Sequence, residues 1–218
     1  MNKCKVVILA MAVSILCAVQ AKADSTPIVL TFEGVGDDVL IGNYYNGGPG
    51  GALGVSFGAD SLALVSSLAG GSGNFSNAPS GITIAFFLSG AGDVMNVAGG
   101  FNTGFSFFYS ATTLPGTVTV WSGLNGTGTL LATLTLPPNG SCTPGPNFCH
   151  WTAEGVTFSG TAASVNFSGT ANEIGFDNIT IGSATPGGGP TPAPEPATMF
   201  LLGLGSLSFL SARRRKRA

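Results

Sequence analysis

The sequence predicts an antiparallel β-sandwich between residues 24 and 183, a region that we call the passenger domain. Gly, Ser, Thr and Asn interrupt every apolar run there within about ten residues, which excludes a framework of amphipathic helices. Short runs rich in β-branched and aromatic residues recur instead, at the spacing typical of a sandwich. The predicted strands are 28–33, 39–45, 53–57, 61–65, 82–88, 101–109, 116–122, 129–136, 152–158, 163–168 and 173–181.

Residues 117–136 contain the clearest hairpin signal. Two segments of alternating polarity flank Asn125-Gly126, and the Asn-Gly pair supplies the positive φ angles that a tight hairpin demands. This pairing sets the register of two neighbouring strands.

The segment 101–109 is predicted to be a central strand. Phe105, Phe107 and Tyr109 share one face, while Phe108 points to the other, as expected for a strand that is buried on both sides. We expect these rings in the core; a sugar-stacking platform would require them to be exposed.

Residues 1–23 have the three parts of a secretory signal: two early lysines, an apolar run and a small-residue exit. Cleavage is predicted between Ala23 and Asp24. The alternative is a lipoprotein signal at Cys17, but Leu16 stands where that chemistry prefers a small residue.

The charges are segregated along the chain. All eight basic residues lie in the terminal segments, and residues 24–193 contain neither Lys nor Arg. The same stretch contains the acids Asp24, Glu33, Asp37, Asp38, Asp60, Asp93, Glu154, Glu173 and Asp177. The passenger domain is therefore a polyanion without internal Lys or Arg salt bridges, which excludes nucleic acid and anionic lipid as partners. Metal cations, neutral glycans and a basic protein surface remain open.

Cys142 and Cys149 are the two cysteines of the passenger domain, and they flank a short loop. In an exported chain such a pair predicts a disulfide. Metal ligation or redox activity would require a CxxC spacing or further soft ligands. The adjacent His150, the only histidine, leaves a zinc site with two cysteines and one histidine as the alternative.

We expect no enzymatic activity. The passenger domain has no Lys or Arg to stabilise an anionic transition state, and its single histidine lies beside the cysteine pair. Nine acids offer carboxylate pairs of the kind that glycoside hydrolases use, but nothing in the sequence selects two of them.

The composition changes after the passenger domain. Residues 184–193 are rich in Pro and Gly, which predicts a flexible, extended linker.

The apolar stretch at 197–212 would be roughly 24 Å long as a helix, which is somewhat shorter than the thickness of a bilayer core, about 30 Å. In order, the tail contains the tripeptide Pro194, Glu195, Pro196, then the apolar stretch, then the basic cluster Arg213, Arg214, Arg215, Lys216, Arg217. The cluster would stay on the cytoplasmic side. A plain tail anchor is the alternative reading.

This order of parts over residues 194–217 closely resembles the PEP-CTERM sorting signal. The resemblance implies recognition by an exosortase, a membrane-embedded cysteine transpeptidase, and removal of the apolar tail near residues 194–196. It also implies a Gram-negative bacterium, export through the inner membrane, a transient single-pass anchor, and a final location at the cell surface or in the extracellular matrix.

The passenger domain also resembles those of this family and is similar to jelly-roll sandwiches of the carbohydrate-binding kind. The resemblance rests on residues 31–33, 105–110, 128–136 and 174–181. Jelly-roll sugar-binding domains often hold a structural calcium between the first and last strands, and the resemblance places Glu33 and Asp177 there. Possible further ligands are Asp37, Asp38 and Asn178. Alternatively, these acids are solvated charges that keep a lysine-free surface soluble.

Both acids follow a phenylalanine, Phe32 and Phe176, in a predicted strand. Alternation along the strand would then turn the ring inward and the acid outward.

The expected role is structural or adhesive within an exopolysaccharide layer, as in a biofilm or floc. The alternative is a calcium-dependent carbohydrate-binding module, and a glycoside hydrolase is a more distant third. Exposed aromatic rings would favour the module, and the candidates are Tyr44, Tyr45, Trp121 and Trp151.

Overall fold

The computed structural model describes residues 26–87, 92–168 and 173–188. These residues form β-strands, with two single-turn 3₁₀ helices at Ser67–Ala69 and Leu124–Gly126. The strands are β1 (Ile28–Leu30), β2 (Val39–Leu40), β3 (Asn46–Gly48), β4 (Gly51–Ala52), β5 (Val55–Phe57), β6 (Ser61–Val65), β7 (Thr83–Phe87), β8 (Gly92–Phe101), β9 (Gly104–Ala111), β10 (Gly116–Trp121), β11 (Leu130–Leu136), β12 (Thr152–Thr157), β13 (Ala162–Ser168) and β14 (Ile174–Ile181).

The terminal signals lie outside the described residues. These are the signal peptide with its cleavage site at Ala23 and Asp24, the motif at 194–196, the apolar stretch at 197–212 and the basic cluster at 213–217. Within the part of the chain that the structure describes, no helix is long and apolar enough to cross a membrane.

The strands pair into two main antiparallel sheets. The larger sheet has seven strands in the order β12-β9-β14-β7-β6-β2, with β1 also paired to β14. The smaller sheet has five strands in the order β11-β10-β13-β8-β5. Strands β3 and β4 form a separate two-stranded ribbon. This architecture confirms the predicted all-β, antiparallel fold class.

The core contains aromatic side chains from both sheets. Phe105 and Phe107 on β9 are 0% exposed, and Tyr109 on the same face is almost fully buried. Phe167 of the five-stranded sheet packs against Phe176 of the seven-stranded sheet, with ring centroids 5.0 Å apart. Burying one such side chain stabilises the fold by about 1.5–3 kcal/mol. The rings of β9 are therefore core residues, as predicted, and cannot form a sugar-stacking platform.

The other face of β9 is also covered. Ser106 and Ser110 are both 0% exposed, and Phe108 is partly buried. The Ser106 hydroxyl donates a hydrogen bond of 2.9 Å to the carbonyl of Ser183, in the segment that follows β14. The central position predicted for this strand is therefore confirmed.

Strand β8 was not predicted. Its sequence, Gly-Asp-Val-Met-Asn-Val-Ala-Gly-Gly-Phe, has too many small and polar residues for a clear alternation, although Met95 and Val97 are buried. Phe101 ends this strand, and the chain reverses through Thr103, whose φ is 78°. The predicted strand 101–109 is thus the end of β8 followed by β9.

Two other predicted strands are shorter than expected. The prediction of 39–45 is wrong beyond Leu40, because residues 42–45 form turns in which Tyr44 N donates to Ile41 O at 2.8 Å. The prediction of 28–33 is wrong beyond Leu30, because Phe32 has a φ of 63°, outside the β region.

The hairpin at 117–136 is present, with a broader turn than predicted. Asn125 and Gly126 have φ angles of 58° and 67°, so both have the positive values expected for Asn-Gly. Trp121 pairs with Leu130, however, so residues 122–129 lie in the connection. The extra residues fold back over the five-stranded sheet.

Candidate functional site

Glu33 and Asp177, the two acids expected to bind calcium, both hold the same segment of chain. Asp177 Oδ2 accepts from Ser80 N at 2.7 Å, and Asp177 Oδ1 accepts from Ser80 Oγ at 2.8 Å and Asn178 N at 2.6 Å. Glu33 Oε1 accepts from Ile82 N at 2.9 Å and Thr83 N at 2.8 Å. The two carboxylates thus fix the entry into β7.

The two carboxylates are not fully solvated, in contrast to the alternative that these acids are solvated surface charges. Asp177 is 0% exposed, and Glu33 is partly buried. Phe176 and Phe32 both face the core, so Asp177 points away from it as expected. Glu33 follows a left-handed residue and does not lie in a strand, so its position results from a turn and not from strand alternation.

Burial raises the pKa of Asp177 to about 6, because an ionised carboxylate loses its hydration there. The hydrogen bonds from Ser80 and Asn178 act in the opposite direction, and the negative charge of Glu33 adds a smaller upward shift. The described residues contain no Lys or Arg that could neutralise this charge. An uncompensated buried carboxylate is unfavourable unless a proton or a cation joins it.

The donor chemistry of this pair fits a hard cation only in part. Calcium takes oxygen ligands, and Glu33 Oε2 accepts no hydrogen bond from the described residues. Asp37 is bound elsewhere, by Val65 N at 2.8 Å and Ser72 N at 2.9 Å. A calcium ion would therefore need carbonyl oxygens in addition to Glu33 and Asp177.

Cys142 and Cys149 form a disulfide, with their Cα atoms 6.1 Å apart. His150 Nε2 lies 3.5 Å from Cys142 Sγ, and these three residues form the one group of potential metal ligands found among the described residues. Because the two sulfurs are bonded to each other, the zinc alternative is not available in this state.

A groove of about 260 Å³ lies beside the disulfide loop, over the outer face of the seven-stranded sheet. Phe75 and Phe148 contribute aromatic rings, and Ser72, Asn74 and Asn147 provide polar groups. The remaining lining residues are the aliphatic or aromatic side chains of Leu64, Ile84 and Phe86 on β6 and β7. Sequence reasoning missed this groove because its residues come from four separate segments.

The four aromatic residues considered for glycan binding have different environments. Tyr45 is a core residue, and its hydroxyl accepts from Phe32 N at 2.8 Å. Tyr44 is partly buried, and its hydroxyl donates to Glu33 O at 3.1 Å. Trp151 packs beside the groove, and its indole N–H donates to Ser76 O at 2.9 Å. Trp121 is partly exposed at the end of β10.

Comparison with known proteins identifies the C-terminal segment. Residues 192–216 match the family model of the PEP-CTERM protein-sorting motif. This match confirms the resemblance of the tail and indicates an exported protein that an exosortase processes. The chain matches none of the curated protein sequences.

Several solved structures have a partial likeness to the chain. One is a family 43 arabinoxylan arabinofuranohydrolase from Bacillus subtilis in complex with cellotetraose, with 23% identity, a TM-score of 0.36, and coverage of 49% of this chain and 23% of that one. The chain therefore spans less than a quarter of that enzyme.

Two smaller domains are covered more fully. A carbohydrate-binding module from Cellvibrio mixtus lichenase 5A, in complex with cellotriose, has 15% identity, a TM-score of 0.36 and coverage of 56% of this chain and 86% of that one. The K1 cleaved adhesin domain of Lys-gingipain from Porphyromonas gingivalis W83 has 15% identity, a TM-score of 0.38 and coverage of 72% and 98%. Likeness at this level is too low to transfer a function, and the all-β class rests on the strand pairing itself.

Proposed function

We propose that the chain is a structural or adhesive protein of an extracellular polysaccharide layer, delivered to the cell surface by its C-terminal sorting motif. The observation that carries the proposal is the match of residues 192–216 to the PEP-CTERM motif. The Pro-Glu-Pro tripeptide would be the processing site, with the basic cluster held on the cytoplasmic side until the tail is removed.

The charge of the passenger domain supports a partner without acidic groups. Residues 24–193 contain nine acids and no Lys or Arg, so an anionic polymer would be repelled. Hydroxyl-rich neutral polymers avoid this repulsion. They can also use the many Ser, Thr and Asn side chains as hydrogen-bond partners.

The arrangement of acids supports a non-catalytic role. Asp177 accepts three hydrogen bonds and Glu33 accepts two, so these carboxylates are committed to holding the chain. A glycoside hydrolase would need two carboxyl groups that face an open cleft. We propose that the protein has no reaction of its own.

The test is the fate of the tail in the native host. We expect the protein in the surface or extracellular fraction, with a C-terminal mass that lacks residues 213–217. The matched control replaces Pro194, Glu195 and Pro196 with alanine and should accumulate in the inner membrane with the cluster retained. A surface protein that keeps its arginines would contradict the proposal.

A calcium-dependent glycan-binding module is the second candidate. The supporting observation is the buried Asp177 carboxylate, which has no cationic partner among the described residues. The purified protein would be applied to the host's extracellular polysaccharide with calcium and again with a chelator. Calcium-dependent retention that is lost in Glu33→Gln would support this candidate. Equal retention in both conditions would exclude a role for calcium in binding.

A further inference from the structure

The outward face of the five-stranded sheet carries no charged side chain. Strands β5, β8, β10, β11 and β13 contain a single charged residue, Asp93. Asp93 is directly opposite Phe167 in the register, and both are buried, so Asp93 points inward. Its carboxylate accepts hydrogen bonds from Ser61 Oγ and Val94 N. The single charged side chain of these five strands therefore points into the sandwich.

Two Thr-x-Thr segments lie side by side on this face. Thr117 is paired with Thr135, and Thr119 is paired with Thr133, on the adjacent strands β10 and β11. Asn166 on β13 extends the second row on the other side of Thr119. The residues between the threonines, such as Val118 and Leu134, are buried in the core. The threonines therefore form a grid, with about 4.8 Å between strands and about 6.7 Å along each strand.

The polar groups of this grid are available to a ligand. The side chains of Thr117, Thr133, Thr135 and Asn166 make no hydrogen bond within the described part of the chain. Thr119 Oγ1 accepts from the indole N–H of Trp121 at 2.9 Å, so the Thr119 proton is still free to be donated. Hydroxyl and amide groups offer both donors and acceptors, which suits a partner that is itself covered with hydroxyls.

Trp121 and the loop after it close one end of the grid. The indole is partly exposed, and its hydrogen bond to Thr119 holds the ring along the strand. The loop folds onto the sheet through Ser164, whose Oγ accepts from Gly126 N at 2.9 Å and donates to Gly123 O at 2.6 Å. A hydrogen-bonded aromatic ring beside a polar grid forms a binding surface with a defined end.

We propose that this face, defined by Thr117, Thr119, Trp121, Thr133, Thr135 and Asn166, binds a chain of neutral polysaccharide. This inference rests on the proposed function and names the surface and the class of polymer. The spacing of the grid is of the order of one sugar ring, so successive rows contact successive residues of an extended glycan. The Trp121 ring packs against the apolar face of a sugar, and the hydroxyl grid binds its edge. Acidic polymers are excluded because the surrounding domain is anionic and offers them no cation.

The test is affinity electrophoresis of the exported protein, purified from its host, in gels that contain the host's extracellular polysaccharide. The polysaccharide is first separated by anion exchange into a neutral and an acidic fraction. We expect retardation by the neutral fraction alone. Trp121→Ala should weaken binding by about tenfold or more, as for truncation of an aromatic side chain that contacts the ligand directly.

A second variant protects the test against misfolding. Thr133→Val combined with Thr135→Val keeps β-branched side chains at exposed positions and removes two hydroxyls, so it should fold normally and bind several-fold more weakly. Thr157→Val, at an exposed position on strand β12 of the other sheet, is the matched control and should bind like the wild type. Thermal unfolding of each variant verifies its fold.

Three results would overturn the inference. Equal binding by the wild type and both face variants would place the glycan elsewhere while leaving an adhesive function intact. Retention by the acidic fraction, or by neither fraction, would refute the proposal that the ligand is a neutral polysaccharide. The proposed surface location would still hold if the protein is correctly processed and found at the cell surface. Dimerisation that the face substitutions abolish, measured by light scattering, would identify the face as a contact between two copies of the chain.

Discussion

The buried carboxylate of Asp177 predicts that the protein is more stable in mild acid than at neutral pH. Its pKa is about 6 in the folded protein, against 3.8 for the same carboxyl group without burial, as in the unfolded chain. Between these values the folded state binds more protons than the unfolded state, so stability rises as the pH falls. Above pH 6 the group is ionised in both states, and its contribution no longer changes.

The size of the effect follows from the two pKa values. Lowering the pH from 7.5 to 4.5 should raise the free energy of unfolding by about 2 kcal/mol through this group alone. For a domain of this size, that change corresponds to an increase of about 4–8 °C in the unfolding temperature. Asp37 acts in the opposite direction: its hydrogen bond from Val65 N lowers its pKa below 3.8, so the stability that it contributes is lost only in stronger acid.

The assay is thermal or urea unfolding of the mature protein at both pH values, for the wild type and for Asp177→Asn. The variant cannot ionise and should lose most of the gain. Asp38→Asn, at an exposed position with a φ of 56° that asparagine tolerates, is the matched control and should keep the gain. A wild type that loses stability over this range, or an Asp177→Asn variant with the full gain, would refute the reasoning.

Three further predictions concern the rest of the chain. Replacing Cys142 and Cys149 with serine should lower the free energy of unfolding by about 2–3 kcal/mol, from the entropy of the short closed loop, and urea denaturation measures it. Asn139→Ala should lower it by about 3 kcal/mol in the same assay, because the Asn139 side chain bonds Ala111 N, Tyr109 O and His150 O. If calcium binds Asp177, adding calcium should reduce the gain in stability on acidification, because a bound cation favours the ionised carboxylate. An unchanged gain would contradict calcium binding at that residue.

Alternating patterns were the most informative part of the sequence. The alternation along β9 correctly predicted that Phe105, Phe107 and Tyr109 share the core face, because a period of two places every second side chain on the same side of a sheet. The Asn-Gly pair correctly predicted positive φ angles at 125 and 126. Strand β8 was missed since its register depends on pairing with β13 and β5 and not on its own composition.

The surroundings of the acids could not be predicted from sequence. Asp177 is held by Ser80, which is 97 residues away, and Glu33 by residues 82 and 83. The hydrogen bonds that Asn139 makes to three other residues have no sequence signal either, because a single asparagine in a loop is typical of any turn. Such contacts are fixed by the packing of distant segments, and a local pattern contains no information about them.

The lack of Lys and Arg in the passenger domain determines how its acids are used. Where a protein with mixed charges would pair an acid with a cation, this one pairs it with backbone N–H and hydroxyl donors. Asp37, Glu33 and Asp177 each tie a loop to a strand in this way, and Glu173 accepts from the hydroxyls of Thr112 and Thr113. Hydrogen bonds from neutral donors to a carboxylate are not weakened by salt to the extent that exposed ion pairs are.

The same segregation of charge leaves the outward face of the five-stranded sheet uncharged, because none of the described acids points outward from that sheet. An anionic body with one neutral, hydroxyl-rich face repels acidic polymers over most of its surface and can still bind a neutral glycan at that face.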